Sequence, residues 1–91
     1  MPPSRPRFST AFGQVLRRHR LKQGFSQEAL AEKAEIDRTY VGLLERAKRA
    51  AGLDVAKKLA VALGVPLASL VAEAEKEWER GGLRPGGRAK S

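Results

Sequence analysis

The chain has 91 residues, of which 31% are charged and none is cysteine, and its formal net charge is +8. This length accommodates one small domain, and the missing cysteines exclude disulfides and cysteine-based metal sites. No apolar run approaches the roughly 20 residues that span a bilayer, and no apolar secretion signal starts the chain, so we expect a cytoplasmic protein without a membrane segment.

Positive charge is concentrated in the first half of the chain. Residues 1–50 carry 11 basic and 5 acidic residues, a net charge of +6, whereas residues 51–80 carry 4 and 5, a net charge of −1. The excess favours a polyanionic partner such as nucleic acid, although a merely solvated basic surface is an equal alternative from charge alone. The motifs must decide between them.

The two ends of the chain differ in composition from its middle. Residues 1–7 contain three prolines and two arginines, which predicts a flexible basic arm. Residues 81–91 combine four glycines, a proline and three basic residues, which predicts a disordered basic tail. The folded domain is therefore expected at residues 8–80.

Helix signals divide the folded domain into five segments, and no Asn-Gly or Asp-Gly turn joins two alternating apolar runs, so we expect an all-α fold. Ser9 or Thr10 is expected to cap the first helix, Ser26 the second and Asp37 the third. Pro66 is suited to the first turn of the fifth helix. The expected bounds, in chain order, are 9–22, 26–34, 38–46, 53–63 and 66–78.

Apolar residues at helical spacing predict the buried face of each helix. Gly24 and Gly64 are expected to end the first and fourth helices. His19 lies on the apolar face of the first helix, where we expect a half-buried structural role. The expected core residues are Phe12, Leu16, Leu30, Ala34, Ile36, Val41, Leu44, Val55, Leu59 and Ala62.

The second and third helices form the informative pair. Only three residues separate Ala34 from Arg38, which forces a sharp turn between two short helices and predicts a helix-turn-helix. In that motif the first helix crosses the DNA backbone and the second presents its N-terminal residues to base edges in the major groove. Ala31 is small enough for the crossing point of the two helices.

The stretch from Phe12 to Leu70 resembles the Cro/lambda-repressor-like, XRE-type DNA-binding domain. The resemblance rests on GQVLRRHRLKQGFSQEALAEKA, IDRTYVGLLER and LDVAKKLAVALGVPLASL. The segment DRTYV followed by Glu-Arg is also similar to restriction-modification controller proteins. The resemblance implies a compact five-helix fold, and it implies that Arg20 and Glu45 form an internal ion pair.

Four positions depart from the pattern of that family. Glu35 stands where the family usually has glycine, so a left-handed backbone there would cost about 1 kcal/mol. Ala47, Ala50 and Ala51 stand in the segment AKRAAG, where the family usually has glycine and Asn-Pro. We therefore expect altered geometry in the loop after the third helix.

Five residues are candidates for base contacts. Arg38 and Thr39 at the start of the third helix are the leading pair, since arginine can bond guanine through two hydrogen bonds; a solvated helix start is the alternative. Tyr40 is expected at a phosphate or base edge, or else in the core. Gly42 would allow close approach of the backbone to DNA, or else close helix packing. Leu43 would touch a thymine methyl group.

A second set of residues is suited to contact the DNA backbone, with a solvated surface as the alternative. Cations that follow the third helix would bind phosphates and supply affinity without sequence information. Gln27 matches the family position that touches the backbone and braces the recognition helix. The expected backbone contacts are Gln27, Arg17, Arg46, Lys48 and Arg49.

The chain lacks the residue sets of a catalytic or metal site. The sequence has one histidine, no nucleophile-base-acid set and no glycine-rich phosphate loop. We therefore expect no enzyme, no metal and no cofactor. No separate effector domain fits in this length, so no small-molecule ligand is expected.

The fifth helix carries a longer apolar stripe than one small core should consume, which favours a homodimer. Two copies would present recognition helices about 34 Å apart, matching a palindromic site. The alternative is that Trp78 folds back onto its own core. The stripe consists of Leu67, Leu70, Val71, Ala74 and Trp78.

Together these patterns predict a sequence-specific transcriptional regulator that binds a palindromic promoter site on double-stranded DNA as a homodimer. The alternative is a protein-interaction module, such as an antitoxin or coactivator-like domain, with secondary DNA binding. The sign of regulation and any contact with RNA polymerase stay open.

Overall fold

Five α-helices and a final π-helical turn make up residues 7–83, the part of the chain that the computed structural model describes. They are α1 (Phe8–Lys22), α2 (Gln27–Ala34), α3 (Tyr40–Glu45), α4 (Leu53–Leu63), α5 (Leu67–Trp78) and the turn Glu79–Leu83. No strand occurs in these residues, which confirms the all-α prediction. Residues 1–6 of the predicted arm and residues 84–91 of the predicted tail lie outside the described part.

α1 packs along α5 and against α3, and α2 packs against α4, around one apolar core. Leu16, Leu30, Leu59 and Leu70 are fully buried there, and each contributes roughly 1.5–3 kcal/mol to folding through its burial. The predicted core residues are all buried or half-buried. His19 is half-buried as expected, with Nε2 lying 3.0 Å from a Glu73 carboxylate oxygen.

The structure corrects the predicted dimer stripe. Leu70 and Ala74 are fully buried within the core of their own chain, where a partner cannot reach them. The Trp78 ring packs edge-to-face on Phe8 at the start of α1, with ring centroids 6.2 Å apart. Most of the apolar stripe of α5 is therefore buried within the same chain, where α5 packs along α1.

The observed helix starts agree with the prediction for α2 and differ from it for α1 and α3. Ser26 caps α2 by accepting a hydrogen bond from the Ala29 N–H at 2.9 Å. α1 begins at Phe8 without a side-chain cap, so the predicted caps Ser9 and Thr10 lie inside its first turn. α3 begins at Tyr40, two residues later than predicted.

The first four helices end in the same way, with a left-handed residue and two backbone hydrogen bonds that define a Schellman motif. After α2, the Glu35 N–H bonds the Glu32 carbonyl and the Ile36 N–H bonds the Ala31 carbonyl. The left-handed residues are Gly24, Glu35, Ala47 and Gly64. Glycine was expected at the first and last of these ends, whereas the other two place a Cβ in a strained conformation.

None of the described helices is by itself long and apolar enough to cross a membrane. That length and composition are reached only by Leu53–Leu63 and Leu67–Gly81 taken together, and this pair is bent by 105°.

The left-handed backbone at Glu35, with a φ of 61°, generates a stability prediction. Glu35→Gly should raise the free energy of unfolding by about 1 kcal/mol, because glycine adopts this conformation without a Cβ clash. In a domain of this size the change corresponds to a rise of roughly 4–8 °C in Tm. Thermal unfolding followed by circular dichroism measures it. Glu35→Ala is the control, since it removes the carboxylate and keeps the Cβ; an equal gain in both variants would contradict the backbone explanation.

Candidate nucleic-acid interface

A buried ion pair holds α3 against α1. Arg20, only 6% exposed, donates from Nε to Glu45 Oε2 at 2.6 Å and from Nη2 to Glu45 Oε1 at 3.0 Å. Its Nη1 also donates to the Phe25 carbonyl at 2.8 Å. These are charge-assisted bonds in a fork-to-carboxylate geometry, which fixes direction as well as distance. The internal pair implied by the resemblance is therefore present, and it also fixes the segment that leads into α2.

Gln27 extends this network to the start of α2. Its Nε2 donates to Glu45 Oε1 at 3.0 Å, so the amide braces the end of α3. Gly42 is buried beneath it, and a Cβ at that position would lie 3.0 Å from Gln27 Oε1 and 3.3 Å from Arg46 Nη1. This placement favours the packing interpretation of Gly42 and removes it from the expected base contacts.

A second glycine sets the approach of α1 to α3. A Cβ added to the buried Gly13 would overlap the carbonyl oxygen of Leu44. The two helices can therefore cross this closely only where α1 has no side chain. An isolated glycine inside a predicted helix indicates such a contact, because a glycine at that kind of position commonly allows another element to pack closely.

The turn before α3 is fixed by Asp37. Its Oδ1 accepts hydrogen bonds from the Thr39 N–H at 2.9 Å and from the Thr39 hydroxyl at 2.7 Å. The backbone bond, the hydroxyl bond and the nearby Arg38 charge hold the pKa of Asp37 below its ordinary value. The carboxylate therefore loses its charge only at a lower pH than an ordinary aspartate would.

This arrangement corrects the predicted position of two base-contact candidates. Arg38 and Thr39 lie on the turn and precede α3, which begins at Tyr40, although Asp37 accepts from the Thr39 N–H in the manner of an N-cap residue. Both residues remain exposed. Arg38 reaches back to α2, where its Nη2 lies 3.1 Å from Glu28 Oε2. This partner was missed by sequence reasoning, since no spacing rule connects residues ten apart across a turn.

Tyr40 and Leu43 are both half-buried on α3. The Tyr40 side chain packs against the hydrophobic core, as one of its two interpretations predicted. Leu43 contributes its carbonyl to the Schellman motif after α3, where it accepts from the Lys48 N–H at 2.9 Å. Each of these side chains therefore has only part of its surface exposed.

The segment AKRAAG ends α3 although alanine, and not glycine, stands at its left-handed position, residue 47. The Ala47 N–H bonds the Leu44 carbonyl, and Ala47 takes the left-handed conformation at a φ of 58°. The Arg7 guanidinium donates to the Ala47 carbonyl at 2.6 Å and ties the start of α1 to this loop. The helix end keeps the geometry of a glycine cap. The exposed side chains of Lys48 and Arg49 directly follow it.

Four of the five expected backbone contacts are exposed cations, and the fifth is Gln27. Arg46, Lys48 and Arg49 are exposed at the end of α3 and after it, and Arg17 is exposed on α1. Gln27 is half-buried because its amide binds Glu45. The side chains of Arg17, Arg46, Lys48, Arg49 and Arg38 are therefore accessible to solvent.

Comparison with known proteins agrees with this geometry. The helix-turn-helix family HTH_3 matches residues 16–70. The control protein C.MunI of Mycoplasma sp is 37% identical over 67 residues, which cover 72% of this chain and 90% of that protein.

Two solved structures are similar in fold. The restriction-modification controller protein C.AhdI from Aeromonas hydrophila superimposes with a TM-score of 0.66 and 44% identity, covering 68% of this chain and 94% of its own. The clp gene regulator ClgR from Corynebacterium glutamicum superimposes with a TM-score of 0.79 and 26% identity, covering 84% and 81%. The predicted lambda-repressor-like fold is confirmed.

The buried pair predicts that two arginines of α1 contribute very differently to the free energy of unfolding. Arg20→Met should lower the free energy of unfolding by about 3–5 kcal/mol, because it leaves the Glu45 carboxylate buried without its cation. Arg18→Met is the control: Arg18 pairs with Glu73 and Glu77 at the surface, and such pairs contribute about 0–1 kcal/mol. Urea unfolding measures both. Similar small losses in the two variants would contradict the importance assigned to the buried pair.

Proposed function

The chain belongs to the helix-turn-helix family of DNA-binding regulators, and from that premise we propose that it is a controller-type transcription regulator that binds a two-fold symmetric promoter site as a homodimer. Its relatives are named as regulators and control proteins, not as enzymes. The proposal includes no catalytic step and places the protein in the cytoplasm, where bacterial DNA lies.

One observation carries the DNA-reading part of the proposal: an exposed arginine stands on a turn whose backbone is fixed on both sides. Asp37 holds the turn through Thr39, and the Arg20–Glu45 pair holds the helix that follows. A rigid turn with an exposed guanidinium can enter a major groove without first being ordered, so less binding free energy is lost on association.

Within the proposed complex, Arg38 donates to O6 and N7 of a guanine, the contact that best distinguishes this base. Thr39 retains acceptor capacity because its hydroxyl proton is directed to Asp37. The exposed parts of Tyr40 and Leu43 lie on the next turn, where a thymine methyl or a phosphate would meet them. Gly42 has no part in the contact, since it is covered by Gln27.

The cations around this turn bind the two phosphate backbones. Lys48 and Arg49 follow the closed end of α3, and Arg46 and Arg17 extend the positive surface to either side. Gln27 directs its amide to Glu45 and acts mainly as a brace. Phosphate contacts of this kind set the affinity and the register of the protein, and base contacts set the sequence.

The proposed dimer uses a groove between the start of α1, the loop after α3 and α5. The groove has a volume of about 420 Å³, and its apolar lining includes Phe8, Leu53, Leu67 and Val71. Leu53 is 80% exposed beside it, an unusual position for a large apolar residue in a small domain. A second copy of the chain is the proposed occupant, because two copies double the short surface that one turn and one six-residue helix offer to DNA.

Selection of bound sites from random duplexes tests the whole proposal. A two-fold repeat whose half-sites are centred about one DNA turn apart is the expected outcome. Recovery of no enriched sequence would reject the regulator and leave the protein-interaction module as the interpretation of the fold.

Truncation of Arg38 and truncation of Arg49 should change DNA binding in different ways. Arg38→Ala should reduce discrimination at one base pair per half-site by about 1–3 kcal/mol, because the guanine loses its paired donors. Arg49→Ala should weaken binding to every duplex similarly and flatten the dependence of log K on log salt by about one unit per copy. Fluorescence anisotropy on matched and single-substituted duplexes at several salt concentrations measures both. Equal losses from both variants on all duplexes would show that the two roles are wrongly assigned.

The groove makes a separate prediction about assembly. Leu53→Ser should shift the chain from dimer toward monomer in sedimentation equilibrium, since it removes an exposed apolar contact without opening the core. Val61→Ser is the matched control, because Val61 is also exposed on α4 but does not line the groove. A wild-type chain that sediments as a monomer, or a Leu53→Ser chain as dimeric as the wild type, would contradict this interface.

A further inference from the structure

Glu28 places a negative charge on the surface proposed to meet DNA. It lies in the first turn of α2, with a side chain 67% exposed, and its Oε2 is 3.1 Å from Nη2 of Arg38, whose side chain is 73% exposed. An unscreened carboxylate at this place repels phosphates and lowers the affinity for any duplex. A carboxylate beside the leading base-contact residue should therefore have an effect that outweighs this loss of affinity.

The contribution of the Glu28–Arg38 pair to folding stability is too small to be that effect. An ion pair as exposed as this one contributes about 0–1 kcal/mol to folding, and salt screens much of that. A carboxylate in the first turn of a helix is favourable to the helix dipole, but α2 is already capped by Ser26. Glu32, one turn further along the same helix, carries the same charge without an ion partner among the described residues. What distinguishes Glu28 is its contact with Arg38.

The chemistry of the guanidinium suggests what the contact does. Arginine presents five N–H donors in one plane, and a guanine needs two of them. Glu28 binds Arg38 at Nη2 and leaves the other N–H groups of the fork available. A carboxylate on one edge limits the rotation of the fork and so reduces the side-chain entropy lost when the opposite edge meets a base.

The same carboxylate acts against unselective binding. When Arg38 has no guanine opposite it, its charge is already partly compensated by Glu28, and a phosphate gains less from approaching it. We propose that Glu28 is a specificity-determining residue, which orients Arg38 toward guanine and weakens its attraction to phosphate. The proposal rests on the proposed function, in which Arg38 reads a base.

Glu28→Gln tests this proposal, because it removes the charge and keeps the size of the side chain. Binding to a random duplex should tighten, while the ratio of affinities for guanine and for other bases opposite Arg38 should fall about two- to fivefold per half-site, the range of an exposed ion pair. Glu32→Gln is the control for charge at a distance: it should tighten binding to all duplexes without changing the ratio. Thermal unfolding of each variant verifies that folded protein is compared.

A double-mutant cycle separates this proposal from the one it rests on. With Arg38→Ala in place, Glu28→Gln should no longer change the base ratio, since the residue it orients is absent. A Glu28→Gln chain whose ratio equals the wild-type ratio, or whose preference changes at a different base pair, would overturn the orienting role. If Arg38→Ala itself leaves the ratio unchanged, the base-reading function of Arg38 fails instead.

Discussion

The proposed DNA-binding surface depends on the buried contact between Arg20 and Glu45. α3 has six residues, far fewer than a helix needs to be stable alone, so its position comes from tertiary contacts: Val41 and Leu44 are buried in the core, and Glu45 is bound at the end of the helix. Glu45 receives two bonds from Arg20 and one from Gln27, which joins α1, α2 and α3 at one carboxylate. The same charges would oppose folding if either were left unpaired in the interior. The recognition unit is therefore rigid only as long as the network is complete.

Two glycines and two strained residues frame that network. Gly13 and Gly42 leave space where Leu44 and Gln27 come close, so the ion pair can form at bonding distance. Glu35 and Ala47 close the ends of α2 and α3 in the left-handed conformation although neither is glycine. Because both sit in complete Schellman motifs, the backbone bonds offset the strain. The loop that departs from the family sequence thus keeps a defined shape, and Arg7 holds it from the start of α1.

In the proposed complex, affinity and specificity are divided between different side chains. The cations that follow α3 would attract any duplex, and the +6 charge of residues 1–50 would support them. Arg38 differs from these cations because Glu28 faces it; in the proposed complex this pairing lowers its attraction to phosphate and limits the directions in which the guanidinium can donate.

The number and order of the helices, the Ser26 cap, the buried faces and the helix-turn-helix could all be predicted from the sequence, because the spacing of apolar residues and capping chemistry are local properties. The sequence also indicated the Arg20–Glu45 pair, through the resemblance to a known domain. Only the folded chain shows that Gly42 is covered by Gln27, that Leu70 and Ala74 belong to the core, and that Arg38 meets Glu28. Each of these depends on two segments lying side by side, and a periodic pattern specifies which face of a helix is buried but not which residue of another helix it will touch.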